Sequence, residues 1–211
     1  MHSCIKLTTS KRSRLHKAEI VDIGGDMKEY RIGDLMVPLS EYAVVSEDAT
    51  LFEAVMALER AQEEFDHTRY RHRAILIVNH AGDVIGKLSQ LDVLKALEPK
   101  YHEMLTRERS HQFGFTQKFM KSMLEDYHLF ESPLEDICHK AGKQNVGQYM
   151  TKPLEGEYID ETATLDEAIH RLVVGHHQSL LVTKAGRISG VLRLTDVFAS
   201  IFHTMRKCFM G

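Results

Sequence analysis

The sequence predicts an α/β (α+β) fold: two β-α-β-β-α repeats packed with approximate two-fold symmetry, with a helical insertion between them. Three observations predict it. The phrases "GKLSQLD" (86–92) and "GVLRLTD" (190–196) share Gly, Leu and Asp at matching positions, and Val follows each. At an offset of 114, "IGDLM" (32–36) falls on "VGQYM" (146–150), and "SEDATLFEAV" (46–55) falls on "DETATLDEAI" (160–169). The apolar pattern then runs strand, helix, strand, strand, helix in both copies. The first pair of phrases matches at an offset of 104, so copy one carries ten extra residues between its Ala-Thr-Leu and its Gly. A period of this size is a tandem duplication and not a solenoid of short repeats.

Each element has a local reason. "YAVVS" (42–46) and "YID" (158–160) are short and partly β-branched, as strands are. Ala-Thr-Leu opens a helix in each copy. Leu51, Val55, Leu58 and Gln62 share one face in copy one; Leu165, Ile169, Leu172 and Val173 do so in copy two. Asp48 and Thr162 are the expected N-caps, because a side-chain oxygen there accepts a free N–H of the first turn. "AILIV" (74–78) and "SLLV" (179–182) read as buried strands. The turns "NHAGD" and "TKAGR" lead into second strands, "VIGKLS" (84–89) and "ISGVLR" (188–193). The Gly-to-Asp phrase then opens the last helix, "QLDVLKAL" or "TDVFASIF". A copy of roughly 50–60 residues buries too little surface to be comfortable alone, so the two copies should pack together.

The predicted organisation is an N-terminal arm (1–29, flexible), repeat one (30–98), the helical insertion (99–143) and repeat two (144–211). In the insertion, Phe115, Phe119, Met120, Met123, Leu124 and Tyr127 recur at helical spacing on one face. "SPLEDICHKAG" reads as a second helix, with Ser132 as N-cap, Pro133 in the first position, Glu135 completing a capping box and Gly142 as the stop. This apolar face must pack on the module itself or on a second subunit.

Bulk properties narrow the function class. The 211 residues are 43% hydrophobic and 27% charged, ordinary for a globular chain with a real core. A net charge of −3 argues against a general nucleic-acid binder, leaving the basic arm (Lys11, Arg12, Arg14, Lys17) and "RYRHR" as local patches only. Cys4, Cys138 and Cys208 are far apart and odd in number, which fits a reducing cytoplasm. No membrane span and no apolar signal-peptide core is expected. Thirteen histidines, including His170, His176 and His177, fit no metal-ligand spacing. No nucleophile–base order, paired-carboxylate pattern or phosphate-binding glycine loop stands out, so no enzyme is expected.

The phrases "DLMVP" and "YMTKP", "DATLFEA" and "TATLDEA", "AILIVNHAGDVIG" and "SLLVTKAGRISG", with the two Gly-to-Asp phrases, resemble the tandem cystathionine-β-synthase (CBS) domain pair, often called a Bateman module. The resemblance covers about 30–98 and 144–206. It implies binding of an adenosine-containing ligand, an adenine nucleotide or S-adenosylmethionine, as a regulatory ligand in clefts between the repeats. Carried over by position, Asp92 and Asp196 would hold ribose, two acceptor oxygens suiting vicinal hydroxyls. Ser89 supplies the family's hydroxyl in copy one. Copy two departs from the pattern with Arg193, and offers Thr195 instead. Lys87 departs too, standing where an apolar residue is usual; Val191 fits. Adenine would lie against Ala43 and Val191, and the motif glycines would let its ring approach the backbone. Thirteen residues before each glycine, Arg73 and His177 would face phosphate.

The expected protein is therefore a free-standing cytoplasmic regulatory module. It would sense an adenosine-type ligand, pair as a homodimer, need no metal, and signal to an effector protein that the sequence does not identify. A ligand-free structural or interaction module is the alternative. The diverged phrases predict that the two clefts bind unequally.

Overall fold

The computed structural model describes residues 27–64, 71–101 and 116–210. The basic arm residues, His67 and Arg69 of the basic run, and Phe115 lie outside the described residues. In chain order, α1 (Ile32–Leu35) leads to a two-residue strand β1 (Val37–Pro38). Copy one follows as β2 (Val44–Ser46), α2 (Leu51–Glu64), β3 (Ala74–Val78), β4 (Val84–Ser89) and α3 (Gln90–Ala96). The insertion contributes α4 (Gln117–Asp126) and α5 (Leu134–Gly142). Copy two is β5 (Tyr158–Asp160), α6 (Leu165–Val174), β6 (Ser179–Lys184), β7 (Arg187–Arg193) and α7 (Leu194–Met210). The order strand, helix, strand, strand, helix is thus met twice.

In each copy the first strand runs parallel to the second across the helix, and the last two strands form an antiparallel hairpin. Gly82 and Gly186 make the hairpin turns at φ of 84° and 78°, a region that favours glycine.

The two copies exchange their leading segments. β1, which precedes copy one, pairs with β7 of copy two, Val37 opposite Val191 and Pro38 opposite Gly190. Reciprocally, Thr151, which precedes copy two, bridges Lys87 on β4. Arg31 bridges Thr164, and Asn145 bridges Thr50. The offsets of 114 and 104 carry one member of each pair onto the other, which is the approximate two-fold in backbone terms. Three apolar clusters result. One belongs to copy two with Ile32 and Leu35 donated from in front of copy one. One belongs to copy one with Val146 donated from in front of copy two. The third, Val37, Tyr42, Leu76, Leu181 and Val191, joins the two sheets.

Several local expectations need correction. The helix caps are Thr50 and Thr164, not Asp48 and Thr162, since the helices begin at Leu51 and Leu165. Thr50 forms a full capping box with Glu53 at 2.7 and 3.2 Å. The buried stripe uses Ala54 and Ala168, while Val173 is exposed. In α5, Pro133 rather than Ser132 stands at the N-cap, without a side-chain cap bond. Helix α7 runs eight residues past its expected end at Phe202.

The insertion docks on copy one. Glu98, buried at the end of copy one, accepts the N–H of Phe130 at 2.9 Å. Lys100 Nζ donates to the carbonyls of Tyr127 and His128. Met123, Ile137 and Ala141 are buried, whereas Phe119, Met120 and Leu124 remain exposed.

Candidate functional site

Both Gly-to-Asp phrases end at the junction of the sheets, where a cavity of about 470 Å³ opens. That is within the roughly 300–1,000 Å³ of small-molecule sites. Of the nine residues expected at the site, six line this cavity: Ser89, Asp92, Arg73, His177, Arg193 and Thr195. Ala43 and Val191 instead lie buried in the apolar clusters, and Asp196 stands behind Arg193.

The two aspartates are held differently. Ser89 ends β4 and caps α3, and Asp92 closes the capping box. Asp92 Oδ2 accepts the Ser89 N–H at 3.0 Å and its hydroxyl at 2.6 Å, and Oδ1 accepts Lys95 Nζ at 2.9 Å. Burial raises the Asp92 pKa, but the hydrogen bonds from Ser89 and Lys95 outweigh it and hold the carboxyl below its ordinary value. The Lys95 side chain is 42% exposed, so it can swing away at little expense.

Asp196 has no such freedom. Arg193 clamps it through two donors, Nε to Oδ2 at 2.6 Å and Nη2 to Oδ1 at 2.5 Å. Arg193 and Asp196 side chains are 6% and 10% exposed. Arg193 Nη1 also reaches His72 Nδ1 at 3.3 Å. A guanidinium only donates, so that ring nitrogen carries the lone pair. Tyr42 packs edge-on to His72 with ring centroids 4.6 Å apart. Burial pushes the Tyr42 phenol up to about 12, with Arg193 pulling it down and Asp196 raising it. The arginine that departs from the family pattern is thus the built-in partner of the neighbouring aspartate.

The basic residues arrive by loop geometry. Helix α6 ends with the N–H of His177 on the Leu172 carbonyl at 3.0 Å, and His176 takes the left-handed position at φ 51°. This brings His177 to the cavity wall. Arg73 leads into β3, and its carbonyl accepts the Gln90 N–H at 3.1 Å, tying it to the start of α3. Arg71 lines the same wall.

Several lining residues were not expected at the site, among them Tyr42, Lys87 and Glu157. Glu157, just before β5, forms an ion pair with Lys87 of β4. Its other oxygen accepts the Leu154 N–H at 3.0 Å, and His177 Nδ1 lies 3.7 Å from the first. Burial raises its pKa, yet Lys87 and the Leu154 N–H hold it below the ordinary value. The signal was present in the sequence. The 114 offset carries Ala43 onto Glu157, and the 104 offset carries Val191 onto Lys87, so a carboxylate and an ammonium stand where the other half keeps two apolar residues.

The motif glycines serve packing and not a ligand ring. A Cβ on Gly190 would meet the Val37 carbonyl at 2.5 Å and Met36 Sδ at 2.7 Å. One on Gly86 would meet Met150 Sδ at 2.5 Å. Each glycine makes room for the methionine that leads into the opposite copy. Among the described residues no group of three or more His, Cys, Asp or Glu could hold a metal ion, and no helix is long and apolar enough to cross a membrane.

A family model described as the CBS domain matches residues 32–99 and 146–203. No curated protein matches. Among solved structures, CBSX2 from Arabidopsis thaliana in complex with AMP is 18% identical, with 84% of this chain and 99% of that one covered at a TM-score of 0.51. The CBS domain of the bacterial CNNM/CorC family Mg2+ transporter, in complex with ATP, is 13% identical, covering 84% and 90% at 0.52. A CBS domain-containing protein of unknown function from Bacillus anthracis is 13% identical, covering 82% and 94% at 0.54. At these identities the likeness is one of fold.

Proposed function

Because this chain belongs to the CBS domain family and carries two copies of the domain, we propose that its cavity binds an adenosine-containing ligand and that the module reports that ligand to an effector protein. The observation that carries this reading is the convergence of Ser89, Asp92, Arg73 and His177 on one cavity of about 470 Å³. A carboxylate with a displaceable lysine suits ribose hydroxyls, and the guanidinium and imidazole suit phosphate. Two neighbours of the same fold hold AMP and ATP, which supports a nucleotide here. Thr195 lines the same cavity and adds a hydroxyl.

One ligand per chain is expected. Asp196 already has both oxygens on a buried guanidinium, so ribose would have to displace a bidentate ion pair. The module acts as a regulator and not as an enzyme, and it works as a homodimer. Helix α7 supports the dimer: Phe198, Phe202, Met205 and Phe209 are 49–85% exposed at helical spacing. Binding regulates only if the ligand prefers one of two conformations. Thermal-shift and calorimetric titration with AMP, ADP, ATP and S-adenosylmethionine test the reading. A rise in melting temperature and a stoichiometry near one per chain are expected. No response to any of the four overturns it.

A further inference from the structure

We propose that the cross-copy pair Lys87–Glu157 is a specificity determinant of the cavity, making it take a phosphate-bearing ligand and reject an uncharged or cationic adenosine compound. The inference rests on reading this cavity as an adenosine-ligand site, and it names which members of that class are accepted. Lys87 contacts the ligand; Glu157 is a positioning residue that acts through Lys87.

The argument begins with charge. The cavity wall carries Arg71, Arg73, Lys87 and Arg193 against Asp92 and Glu157. Arg193 is satisfied by Asp196, Asp92 by Lys95, and Glu157 by Lys87. Once these pairs are cancelled, the guanidiniums of Arg71 and Arg73 remain, with the imidazoles of His176 and His177 beside them. The wall therefore favours an anion, and a sulfonium such as that of S-adenosylmethionine meets like charge.

The geometry adds position. The Lys87 and Glu157 side chains are 20% and 9% exposed, so their pair is weakly screened by solvent. An ammonium has three N–H donors. Glu157 engages one, which holds the nitrogen at the cavity wall and leaves donors for phosphate oxygens. Glu157 is itself fixed, by the Leu154 N–H at 3.0 Å, and Lys87 is fixed by its backbone bonds to Thr151 at 2.9 and 3.0 Å. A phosphate there touches copy one through Lys87 and lies beside Glu157 and His177 of copy two.

Internal symmetry supplies the control. The counterparts of Lys87 and Glu157 are Val191 and Ala43, both buried and apolar. The chain thus holds a neutral version of this pair in its own other half, and the double variant Lys87→Val/Glu157→Ala copies it. Lys87→Met is the second variant, keeping the stem and deleting the charge.

The test measures affinity of the full chain for ATP, inorganic tripolyphosphate, adenosine and S-adenosylmethionine, with melting temperature without ligand as the folding check. The parent should bind ATP at least tenfold more tightly than adenosine or S-adenosylmethionine, and should respond to tripolyphosphate. Lys87→Met and the double variant should each lose tenfold or more for ATP and tripolyphosphate, with adenosine affinity unchanged. Glu157→Ala should weaken ATP in the same direction, and Glu157→Asp should recover most of it, a ratio that a merely structural role would not move. An unchanged ATP-to-adenosine ratio in Lys87→Met overturns this inference and leaves the adenosine-site reading standing. Tripolyphosphate binding that depends on Lys87, without any ATP binding, overturns the adenosine-site reading and supports the anion-selecting role of the pair. Silence of the parent toward all four probes overturns both.

Discussion

Asp92 and Asp196 occupy the same place in the two copies, yet their replacement by Asn should have unequal consequences. In Asp196→Asn, the buried Arg193 loses the carboxylate it holds through bonds of 2.6 and 2.5 Å. Removing one partner of a buried ion pair costs about 3–5 kcal/mol, because the other charge stays behind without its match. The Asn amide oxygen can still accept one of the two bonds, which places the loss at the lower end, about 3 kcal/mol. For a chain of this size that is roughly 6–12 °C in melting temperature. In Asp92→Asn, the lost ion pair is with a lysine 42% exposed, worth roughly 0–1 kcal/mol. The weakened capping box adds about 1 kcal/mol. Denaturant melts of both variants measure the stability difference, and titration with ATP measures ligand response. Asp196→Asn should be the less stable and should keep the ligand response; Asp92→Asn should be the more stable and should lose it. Equal stability losses, or a ligand response lost only in Asp196→Asn, would refute the assignment of Asp196 to an internal clamp.

Three further outcomes follow from packing and charge. Gly190→Ala should destabilise by about 1–3 kcal/mol, since the new methyl meets the Val37 carbonyl, while Gly86→Ala should be milder because it meets the movable Met150 thioether. Adding Met150→Ala to Gly86→Ala should recover the overpacking part of that loss, read from the denaturation midpoint. Glu157 and Asp92 both have folded pKa values below their ordinary 4.5 and 3.8. Their contributions are complete above those values and are lost as pH falls through the lower folded values, so stability should drop steeply in that acid window, and less so in Glu157→Gln. If the proposed homodimer forms through α7, Phe198→Glu should shift the mass measured by light scattering from dimer to monomer without unfolding the chain, because Phe198 is 59% exposed; a parent chain that is already monomeric refutes the proposed pairing.

The duplication was legible because it is written in contact-making residues. Ala-Thr-Leu recurs because Thr50 and Thr164 stand at the N-cap positions and bridge the other copy's leading segment, with Thr50 alone making a side-chain cap bond, while Leu51 and Leu165 fill the two cores. The exchange of leading segments was not legible. β1 is two residues long and owes its conformation to pairing with Val191 and Gly190, more than 150 residues away, so no local pattern announces it. The motif glycines were read for a ligand because "Gly at a strand" has two physical meanings, and only the positions of Met36 and Met150 decide between them. At the site, residues on the Gly-to-Asp phrases were located by their spacing. Glu157 was passed over because its importance depends on a partner 70 residues away and not on any neighbour.

The same exchange explains how one cavity can influence both halves of the molecule. Lys87 is bonded through its backbone to Thr151, which precedes copy two, and through its side chain to Glu157 of copy two. It is also part of the hairpin that ends in Ser89 and the capping box of α3. An anion that draws the ammonium inward therefore acts on copy one and on the leading segment of copy two at once. At the symmetry-related position the side chain is Val191, which packs in the central cluster and offers an anion nothing. The nearby charge there, Arg193, is spent on Asp196. A ligand entering the cavity thus meets a responsive wall on one side and a fixed wall on the other. The expected movement is therefore one of β4, the start of α3 and the Thr151 segment bonded to them, against the part of copy two held by Arg193 and Asp196, and not a symmetric closure. That asymmetry predicts that Asp196→Asn, by loosening the fixed wall, should change how far the two copies shift on ligand binding more than it changes affinity. Distance measurements between labels on α3 and α6, with and without ATP, would read it directly; an identical shift in parent and variant would show that the Arg193 clamp is not what holds copy two still.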